Sequence, residues 1–574
     1  ECKGEKAILK VSDYIIDFFI NHGITDAFGI PGGVILDLLY AMEKHKGKFA
    51  AHLSFNEQCA AFAACGYAQA SSNVGVAYAT RGPGITNMVT AIADAYYDSI
   101  PTIFITAHAV KSVEGHMRVS EDQELNPIPI FSSITKYAVR IDKIEDVYKE
   151  INMAYEMAIK GRKGPVVLDF LSSLFSEDIV YNHEYCEKSY FNNKNQIDNI
   201  IERIVIELSS AQRPILLIGD GVNQTSTCMY IKKVSEDNHI PVLSSRFSAD
   251  VIPDSPNYFG YVGSHGIRYS NFILSKADLI IALGNRMAFP VSSESFKPVV
   301  EHARTIRIDI DETEFLRDVP NSTNYVADLC ELLPRLSDVQ LMYEDSKSWI
   351  SICKHLKQKL WKEDTETPVT DIALILQAVG NKDIIVSDVG NNEFWVSRAA
   401  ALVESTNRIL YSKSFGALGN SLGKGIGVYY AAKSRVVCFV GDQGIQINIQ
   451  ELQYIGQHKL PILIIVLNNS SSGMIKSRER LRYKSHFVHT TTASGYGIPD
   501  FKHIAKGFGL SYFYCTDGKR ASEYIRNYQK QMPIIIELKI DEELDLIPNL
   551  PKGFPCQKLV PSLNDKTYQE LNDL

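Results

Sequence analysis

Two strand-like segments in the last third of the chain end in residues that suit metal binding. Asp442 follows the apolar run VVCFV, and Asn469 follows the run PILIIVL. The helical segment INIQELQYIGQH between them returns the chain, so we expect both strands to end at one sheet edge. A carboxylate and an amide oxygen suit Mg²⁺ or Ca²⁺, completed by a carbonyl, water and diphosphate oxygens. Either element alone is common in loops, but the two around a β–α–β unit predict a diphosphate–metal site.

The elements that must position these residues belong to three blocks, in which strand-like and helix-like segments alternate. This alternation is typical of parallel α/β sheets. We therefore predict three doubly wound parallel-sheet domains, over residues 1–185, 195–345 and 365–548, and a C-terminal arm over residues 549–574. Open sheets of this class bind ligands where the strands end in Gly-containing turns, and each block contains such turns.

Charge and composition limit the classes of partner. A net charge of -8 gives no indication of nucleic acid or of an anionic membrane surface. The longest apolar runs have the length of strands, well short of the ~18–20 residues of a membrane span. Cys59, Cys65 and Cys438 lie in apolar segments, which is typical of reduced thiols in a cytoplasmic protein. The chain begins at Glu1 rather than Met, which leaves a removed leader open.

A single acid, Glu57, stands near the start of the alanine-rich segment LSFNEQCAAFAACGYA. A lone glutamate near a helix start is usually a cap or a solvated charge. Beyond Gln58, however, this helix has almost no polar face, so we expect Glu57 to point into a buried setting. There a carboxyl group can stay protonated and hydrogen-bond a heterocycle nitrogen.

The segment GDQG…NN resembles the thiamin-diphosphate motif GDG…NN, and NIQELQYIGQHKLPILIIVLNNSSSGM is similar to the acetolactate synthase branch (large catalytic subunit) of that superfamily. The resemblance covers nearly the whole chain, in the order pyrimidine-binding, central and diphosphate-binding domain. It implies thiamin diphosphate and Mg²⁺ as cofactors, with Asp442 and Asn469 binding Mg²⁺ through side chains and Ser471 through its carbonyl. Gln443 stands where the family normally has glycine, which predicts an ordinary backbone conformation there, with Gly444 supplying the flexibility.

The same resemblance assigns the remaining cofactor contacts. In DVGNNEFW, Val389, Asn391 and Asn392 match a turn at the cofactor phosphates. In SFGALGNSLGKGIG, Gly416 matches the carbonyl acceptor for the aminopyrimidine amine, and Leu418 matches the apolar wedge that bends thiamin into its V shape. The other predicted cofactor contacts are Pro31, Gly32, Gly441, Asp442, Gln443, Gly444, Asn469, Ser471, Gly473 and Met474.

For catalysis, the resemblance implies that Glu57 bonds the pyrimidine N1′, so that the cofactor's own amino group can remove the proton from thiazolium C2. Because the matching acid acts across a subunit interface, a homodimer is the smallest active unit implied, and a tetramer is expected. Gln123 matches an active-site glutamine of the family. Lys136, in the matching SITK, is a further candidate for the substrate pocket.

Three departures from the family pattern concern the substrate. Pro290 replaces an arginine that contacts a substrate carboxylate, residues 171–173 (LSS) replace PKD, and Arg478 replaces a tryptophan that narrows the acceptor pocket. We therefore predict that a 2-oxo acid, pyruvate, is decarboxylated and its two-carbon unit joined to another kind of acceptor, such as a sugar derivative or an acyl-CoA. Arg478 as a plain surface residue stays an alternative. So do a true acetolactate synthase, a simple decarboxylase, a flavin-dependent oxidase and a non-catalytic paralogue, although retention of Glu57 argues against the last.

The central block is similar to the flavin-binding segments of the family. His265, Arg286 and Asp309 stand at the matching places. Residues 287–290 depart from the family pattern on the side of this region that would face a flavin. FAD, another nucleotide and no nucleotide at all therefore remain alternatives for the central domain.

Overall fold

The computed structural model describes residues 7–109, 122–181, 194–223, 227–288, 294–344, 346–528 and 533–574. Pro290 lies outside these residues. Three sheets of six strands account for most of the architecture, and every strand pairing within them is parallel. The predicted fold class, three doubly wound parallel-sheet domains, is confirmed.

The first sheet has the strand order β3-β2-β4-β5-β7-β6. Its strands are β2 (Asp26–Gly29), β3 (Ala50–Leu53), β4 (Gly75–Tyr78), β5 (Thr102–His108), β6 (Tyr137–Ile141) and β7 (Pro165–Leu171), and an antiparallel pair, β1 (Ala7–Lys10) and β8 (Asp178–Tyr181), flanks it. Its α-helices are Val11–Asn21, Leu36–Lys44, Glu57–Ser71, Pro83–Asn87, Val89–Tyr97, Ile128–Phe131 and Ile144–Ile159, with 3₁₀ turns at Gly33–Ile35 and Ser172–Ser176.

The second sheet has the order β11-β10-β9-β12-β13-β14. Strands β10 and β11 are added on one side of β9, and β12 to β14 are added on its other side. We call the boundary between β9 and β12 the reversal point. Its strands are β9 (Pro214–Ile218), β10 (Val242–Ser244), β11 (Tyr258–Tyr261), β12 (Leu279–Leu283), β13 (Arg304–Asp309) and β14 (Ser322–Val326). Its α-helices are Lys194–Ser209, Asp220–Asn223, Cys228–Asn238, Arg268–Ser275, Lys297–His302, Leu329–Leu336 and Ser346–Leu360, with 3₁₀ turns at Arg246–Ser248, Glu294–Phe296 and Glu312–Leu316. This strand order is that of dinucleotide-binding folds, whose ligands lie at the reversal point.

The third sheet has the order β16-β15-β17-β18-β20-β19. Its strands are β15 (Ile384–Ser387), β16 (Ile409–Tyr411), β17 (Val436–Gly441), β18 (Ile462–Asn468), β19 (Ser511–Cys515) and β20 (Ile534–Lys539). Its α-helices are Thr367–Leu376, Asn391–Leu402, Ser421–Ala432, Gly444–Ile447, Glu451–Gln457, Gly473–Arg482, Phe501–Gly507 and Gly518–Asn527, with a 3₁₀ turn at Thr492–Ser494. Strands β17 and β18 are fully paired neighbours, which places Asp442 and Asn469 at one edge.

The last 26 residues pack against the second domain. The backbone of Asn549 pairs with Val560, and helix Asp565–Asn572 buries Leu571 in the core of the central domain. Arg268 donates hydrogen bonds to the carbonyls of Leu559 and Pro561 at 3.0 and 2.8 Å. Among the residues described above, no helix combines the length and the apolar character needed to cross a bilayer.

Candidate cofactor site

The carboxyl edge of the third sheet brings the predicted metal ligands together. Asp442 is only 2% exposed, and its carboxylate accepts hydrogen bonds from the Ser470 amide at 2.7 Å and from the Tyr496 hydroxyl at 2.6 Å. Asn469 and Ser471 follow β18 and are also buried. Burial raises the pKa of Asp442 to about 6, against these two hydrogen bonds, so a bound cation would stabilise its ionised form.

Several polar atoms at this edge lack protein partners. Neither polar atom of the Asn391 amide, which is 6% exposed, has a hydrogen-bond partner in the described chain, and the same is true of Ser471 Oγ. A Cβ atom placed on Gly473 would lie 2.6 Å from Asn469 Nδ2 and 2.9 Å from Asn391 Nδ2. Buried polar groups are normally satisfied, so unpaired amides around a side-chain-free position fit a bound diphosphate.

A metal ion at this edge would be bound by oxygen atoms of several kinds. In the part of the chain that the structure describes, no group of three or more His, Cys, Asp or Glu side chains could hold a metal ion. One carboxylate, one amide and one backbone carbonyl suit a hard cation whose remaining ligands are phosphate oxygens and water. The donor set therefore fits Mg²⁺ held jointly by the protein and a diphosphate.

Asp388 supports the turn that contains Val389, Asn391 and Asn392. This carboxylate is fully buried and accepts hydrogen bonds from the amides of Val389 and Gly419 at 2.8 and 3.0 Å. Burial raises its pKa to about 6. Asp388 was missed by the sequence reasoning, although an acid at the end of an apolar strand is a usable signal.

Residues 415–419, which we call the glycine turn, lie against helix Gly444–Ile447. A Cβ atom on Gly419 would lie 2.5 Å from the Ile447 Cβ, and φ is +82° at Gly419 and +70° at Gly416, so both positions favour glycine. Gly416 and Leu418 face outward, and Leu418 is 36% exposed. The predicted pyrimidine contacts therefore border the predicted metal edge.

Gln443 has the ordinary helical dihedrals φ −86° and ψ −42° and an exposed side chain. Gly444, by contrast, has no positive φ, and a Cβ atom there would lie 3.1 Å from Asp388 Oδ2. The close approach of Asp388, rather than a positive φ, is thus what disfavours a larger residue at 444, which differs from the expectation. Gly441 is restricted in the same way, since a Cβ would lie 3.0 Å from Asn392 Nδ2.

Glu57 opens helix Glu57–Ser71, whose residues from Cys59 to Ala68 are all buried. In the single chain Glu57 is half-buried, and its Oε2 accepts a hydrogen bond from Asn87 Nδ2 at 2.9 Å. Its other oxygen lies 3.5 Å from the Cβ position of Gly84, in the turn formed by Gly82, Pro83 and Gly84. The helix is as apolar as expected, but burial of Glu57 itself is only partial in the single chain.

The other residues predicted for the first domain adjoin the same turns. Gln123 is exposed, with φ at +63°, and its carbonyl oxygen would lie 2.5 Å from a Cβ on Gly82. Pro31 and Gly32 follow β2, and a Cβ on Gly32 would lie 2.4 Å from the Thr80 side chain. The two glycine-containing turns and Glu57 therefore form one surface at the carboxyl edge of the first sheet.

The surfaces of the first and third domains meet in the single chain. The buried carboxylate of Glu451 accepts hydrogen bonds from the amides of Phe55 and Asn56 at 2.8 and 3.0 Å, just before Glu57. Asn448 Nδ2 donates to Gln58 at 3.1 Å and to the Gly419 carbonyl at 2.8 Å. The start of the Glu57 helix is thus fixed to residues that follow Asp442 and border the glycine turn.

Not every predicted residue reaches this site. Lys136 lies before β6, at the opposite edge of its sheet, where its Nζ donates to the Lys160 carbonyl at 2.6 Å. Burial lowers its pKa to about 8. Arg478 is exposed on helix Gly473–Arg482, which also contains Gly473 and Met474. The substitutions at residues 171–173 fall at the carboxyl end of β7.

The three residues predicted for flavin binding lie at two separate places in the structure. Arg286 and Asp309 line a cavity of about 450 Å³ at the reversal point between β9 and β12. Arg286 is already ion-paired to Glu314 at 2.9 Å and donates to Ser414 Oγ at 2.9 Å. His265 does not line this cavity. It packs against Phe394, at 4.8 Å between ring centroids, and burial lowers its pKa to about 4.

Tyr496 is the other contact that the sequence did not reveal, because it reaches Asp442 from 54 positions along the chain. We expect Tyr496→Phe to weaken Mg²⁺ binding by about 10-fold, since partners of a metal ligand orient it. A Mg²⁺ titration at saturating thiamin diphosphate, followed by calorimetry, measures this. Tyr483→Phe, on an exposed tyrosine, is the control, and unchanged or tighter Mg²⁺ binding in Tyr496→Phe would show that the hydroxyl does not support Asp442.

Comparison with known proteins agrees with this geometry in every domain. Three sequence profiles of thiamine pyrophosphate enzymes match the chain: the N-terminal TPP-binding domain over residues 9–128, the central domain over residues 201–336 and the C-terminal TPP-binding domain over residues 388–538. The chain belongs to the thiamin-diphosphate-dependent enzyme family. It is therefore an enzyme of that class. The resemblance of GDQG…NN to the thiamin-diphosphate motif is confirmed.

Within this family the chain is similar to acetolactate synthases. It is 28% identical to the acetolactate synthase large subunit of Lactococcus lactis over 561 residues, which cover 96% of each protein. It is 27% identical to the isozyme 2 large subunit of Escherichia coli over 566 residues, covering 96% of this chain and all of the relative. The acetolactate synthase large subunit of Haemophilus influenzae is 28% identical, in an alignment of 582 positions including gaps that covers 98% of this chain and all of the relative. Over nearly its whole length, this thiamin-diphosphate enzyme is thus similar to acetolactate synthase large subunits.

Proposed function

We propose that this enzyme uses thiamin diphosphate and Mg²⁺ to decarboxylate a 2-oxo acid, pyruvate, and joins the resulting two-carbon unit to an acceptor. The observation that carries the proposal is the unpaired, buried amide of Asn391 beside Asp442, Asn469 and Gly473 at one sheet edge. The similarity to proteins named acetolactate synthase supports a 2-oxo acid as donor. When bound, thiamin diphosphate supplies the stabilisation of negative charge that decarboxylation requires.

The chain's own residues bind and orient this group. Asp442 and Asn469 hold Mg²⁺ through their side chains, and Ser471 holds it through its carbonyl. The carbonyl of Gly416 would accept a hydrogen bond from the aminopyrimidine, and Leu418 would pack against the cofactor. Glu57 would exchange a proton with the pyrimidine N1′, the role of a positioned acid or base.

The acceptor carries an anionic or strongly hydroxylated group, as in a sugar derivative. Two cations on helix Gly473–Arg482 support this. Arg478 is exposed and has no ion pair among the described residues, and the fully buried Nζ of Lys476 has no hydrogen-bond partner there either. Because a buried, unpaired ammonium group is costly, a negatively charged ligand near this helix would be stabilised.

Incubating the purified enzyme with pyruvate, thiamin diphosphate, Mg²⁺ and single acceptors, then weighing the products, tests this proposal. A ligated product with a sugar derivative or an acyl-CoA is the expected result. Acetolactate from pyruvate alone would identify a true acetolactate synthase, and CO₂ with free acetaldehyde a simple decarboxylase. Hydrogen peroxide would identify a flavin-dependent oxidase, and no reaction at all would identify a non-catalytic paralogue.

We also propose a homodimer, assembled further into a tetramer, in the cytoplasm. Leu418, the predicted apolar contact of the cofactor, and its neighbours Phe415 and Ile447 are 36%, 41% and 44% exposed in the single chain. A second copy of the chain would bury these apolar side chains and present its own Glu57 there. Every cysteine in the described ranges is a free thiol, which supports a reducing compartment.

A mixture of two inactive chains tests whether Glu57 acts on the partner's cofactor. We expect Glu57→Gln and Asp442→Ala chains, each inactive alone, to recover activity when co-expressed. A mixed dimer then has one site with both changes and one intact site, so about a quarter of the wild-type activity should return for random pairing and independent sites. If Glu57 serves the cofactor of its own chain, every site has one lesion and no activity returns.

We further propose that the central cavity binds a nucleotide, with FAD as the flavin candidate. The strand order and the cavity at its reversal point support a nucleotide. The visible absorption spectrum of the purified protein decides about the flavin. Flavin bands would identify FAD, and mass spectrometry of the denatured protein would identify a colourless nucleotide.

A further inference from the structure

A fully buried lysine lies between the first and third domains. Lys424 belongs to helix Ser421–Ala432, which packs closely on helix Glu57–Ser71, and its side chain is 0% exposed. Its Nζ lies 2.9 Å from Asp94 Oδ2, which is also 0% exposed, and donates to the Tyr411 carbonyl at 2.9 Å. Lysine is almost never fully buried unless it is paired, and a buried charge pair is weak evidence for stability alone.

The acids that neutralise Lys424 also hold the backbone before the glycine turn. Ser412 Oγ donates to Asp94 and accepts from the Ala417 amide, the latter at 2.7 Å. Asp98, 3% exposed, accepts from the amides of residues 413 and 414 at 2.6 and 2.8 Å. Burial and the neighbouring Asp94 raise the pKa of Asp98 to about 7. The backbone from Ser412 to Ala417 is therefore fixed by two aspartates of the first domain.

The glycine turn needs such external support. Gly416 and Gly419 both have positive φ, at +70° and +82°, and glycine loses the most conformational freedom when it becomes ordered. At the far end of the turn, Asp388 accepts from the Gly419 amide at 3.0 Å. Gly416 lies within the anchored residues 412–417, and Leu418 lies between them and the anchor at Gly419; both are predicted pyrimidine contacts.

The helix that contains Asp94 is also linked to the predicted acid, Glu57. Asp94 lies on helix Val89–Tyr97, directly after helix Pro83–Asn87. Asn87, at the end of that first helix, donates to Glu57 at 2.9 Å. The same pair of helices therefore contacts Glu57 at one end and the backbone before the glycine turn at the other.

We propose that Asp94, Asp98 and Lys424, the aspartate–lysine cluster, are positioning residues that hold Gly416 and Leu418 at the pyrimidine ring of thiamin diphosphate. This inference rests on the proposed function. None of the three is a predicted contact of thiamin diphosphate, although Asp98 also lines the central cavity. It acts through the backbone of Ser412–Ala417, so its loss lowers the occupancy of the correct turn conformation rather than removing a contact.

The test compares cofactor affinity and C2 proton exchange in the wild type and in Asp94→Asn/Lys424→Met, which removes both charges together. We expect thiamin diphosphate affinity, measured by calorimetry, to fall roughly 10-fold, because the turn is no longer preorganised. We expect hydrogen–deuterium exchange at C2 of the bound cofactor to slow by roughly 100-fold, the cost of a small misplacement of reacting groups. Asp98→Asn, which keeps one acceptor oxygen, should show smaller losses in both.

Arg268→Met/Asp364→Asn is the matched control, since this buried ion pair at 2.7 Å joins the central domain to the segment before the third domain. It should lower the melting temperature as the cluster variant does and leave affinity and C2 exchange unchanged. Wild-type affinity and exchange in a folded cluster variant would overturn the inference. If that variant does not fold, Asp98→Asn decides by the same readouts. No accelerated exchange in the wild type would overturn the proposed function as well.

Discussion

Glu57→Gln is expected to bind thiamin diphosphate and to lose turnover. Glutamine keeps the size of the side chain and its hydrogen bond with Asn87, so the turn around Gly84 should keep its shape. It cannot exchange a proton with the pyrimidine N1′. We therefore expect C2 proton exchange and pyruvate turnover to fall by about 10²–10⁴-fold, the usual contribution of a positioned acid or base.

The measurement is the rate of deuterium loss from C2 of bound thiamin diphosphate, with affinity measured in parallel by calorimetry. Glu43→Gln is the control, because Glu43 is an exposed glutamate whose side chain is 69% accessible. Undiminished C2 exchange in Glu57→Gln would rule out Glu57 as the proton-exchanging residue. Loss of cofactor binding would instead assign it a structural role.

Asp442→Ala is expected to abolish Mg²⁺-dependent binding of thiamin diphosphate. Asp442 is the one carboxylate in the predicted ligand set, and its removal also deprives the Ser470 amide and the Tyr496 hydroxyl of their acceptor. Since losing even a partner of a metal ligand costs 10–100-fold in affinity, we expect a loss greater than about 100-fold here.

Calorimetric titration of thiamin diphosphate at several Mg²⁺ concentrations measures this loss. The variant should bind the cofactor weakly and with no response to Mg²⁺, whereas Asp254→Ala, at an exposed surface ion pair, should behave as the wild type. Mg²⁺-dependent binding of normal strength in Asp442→Ala would refute the assignment of the metal site. A melting curve without cofactor shows whether the variant is folded.

The parts of the site that the sequence predicted are those encoded locally. Asp442 and Asn469 follow apolar runs joined by a helix, and parallel strands joined in this way end at the same edge. The apolar helix behind Glu57 was predictable for the same reason, because its composition leaves no polar face. The fold class followed from the alternation of strands and helices in three blocks.

The contacts missed from the sequence join positions far apart in the chain. Tyr496 and Asp442 are separated by 54 positions, and Lys424 and Asp94 by 330. No local sequence pattern specifies which polar groups from distant parts of the chain will contact each other in the fold. His265 shows the converse, since its match to a flavin segment is local but its ring packs on Phe394, away from the cavity that Arg286 lines.

The cofactor-dependent release of CO₂ from pyruvate tests the central claim most directly. Purified enzyme is incubated with pyruvate labelled at the carboxyl carbon, with Mg²⁺, and with or without thiamin diphosphate. Labelled CO₂ is expected only when thiamin diphosphate is present, and its release should be lost in both Glu57→Gln and Asp442→Ala. No release from a preparation in which calorimetry shows the cofactor bound, or release that does not depend on the cofactor, would contradict it.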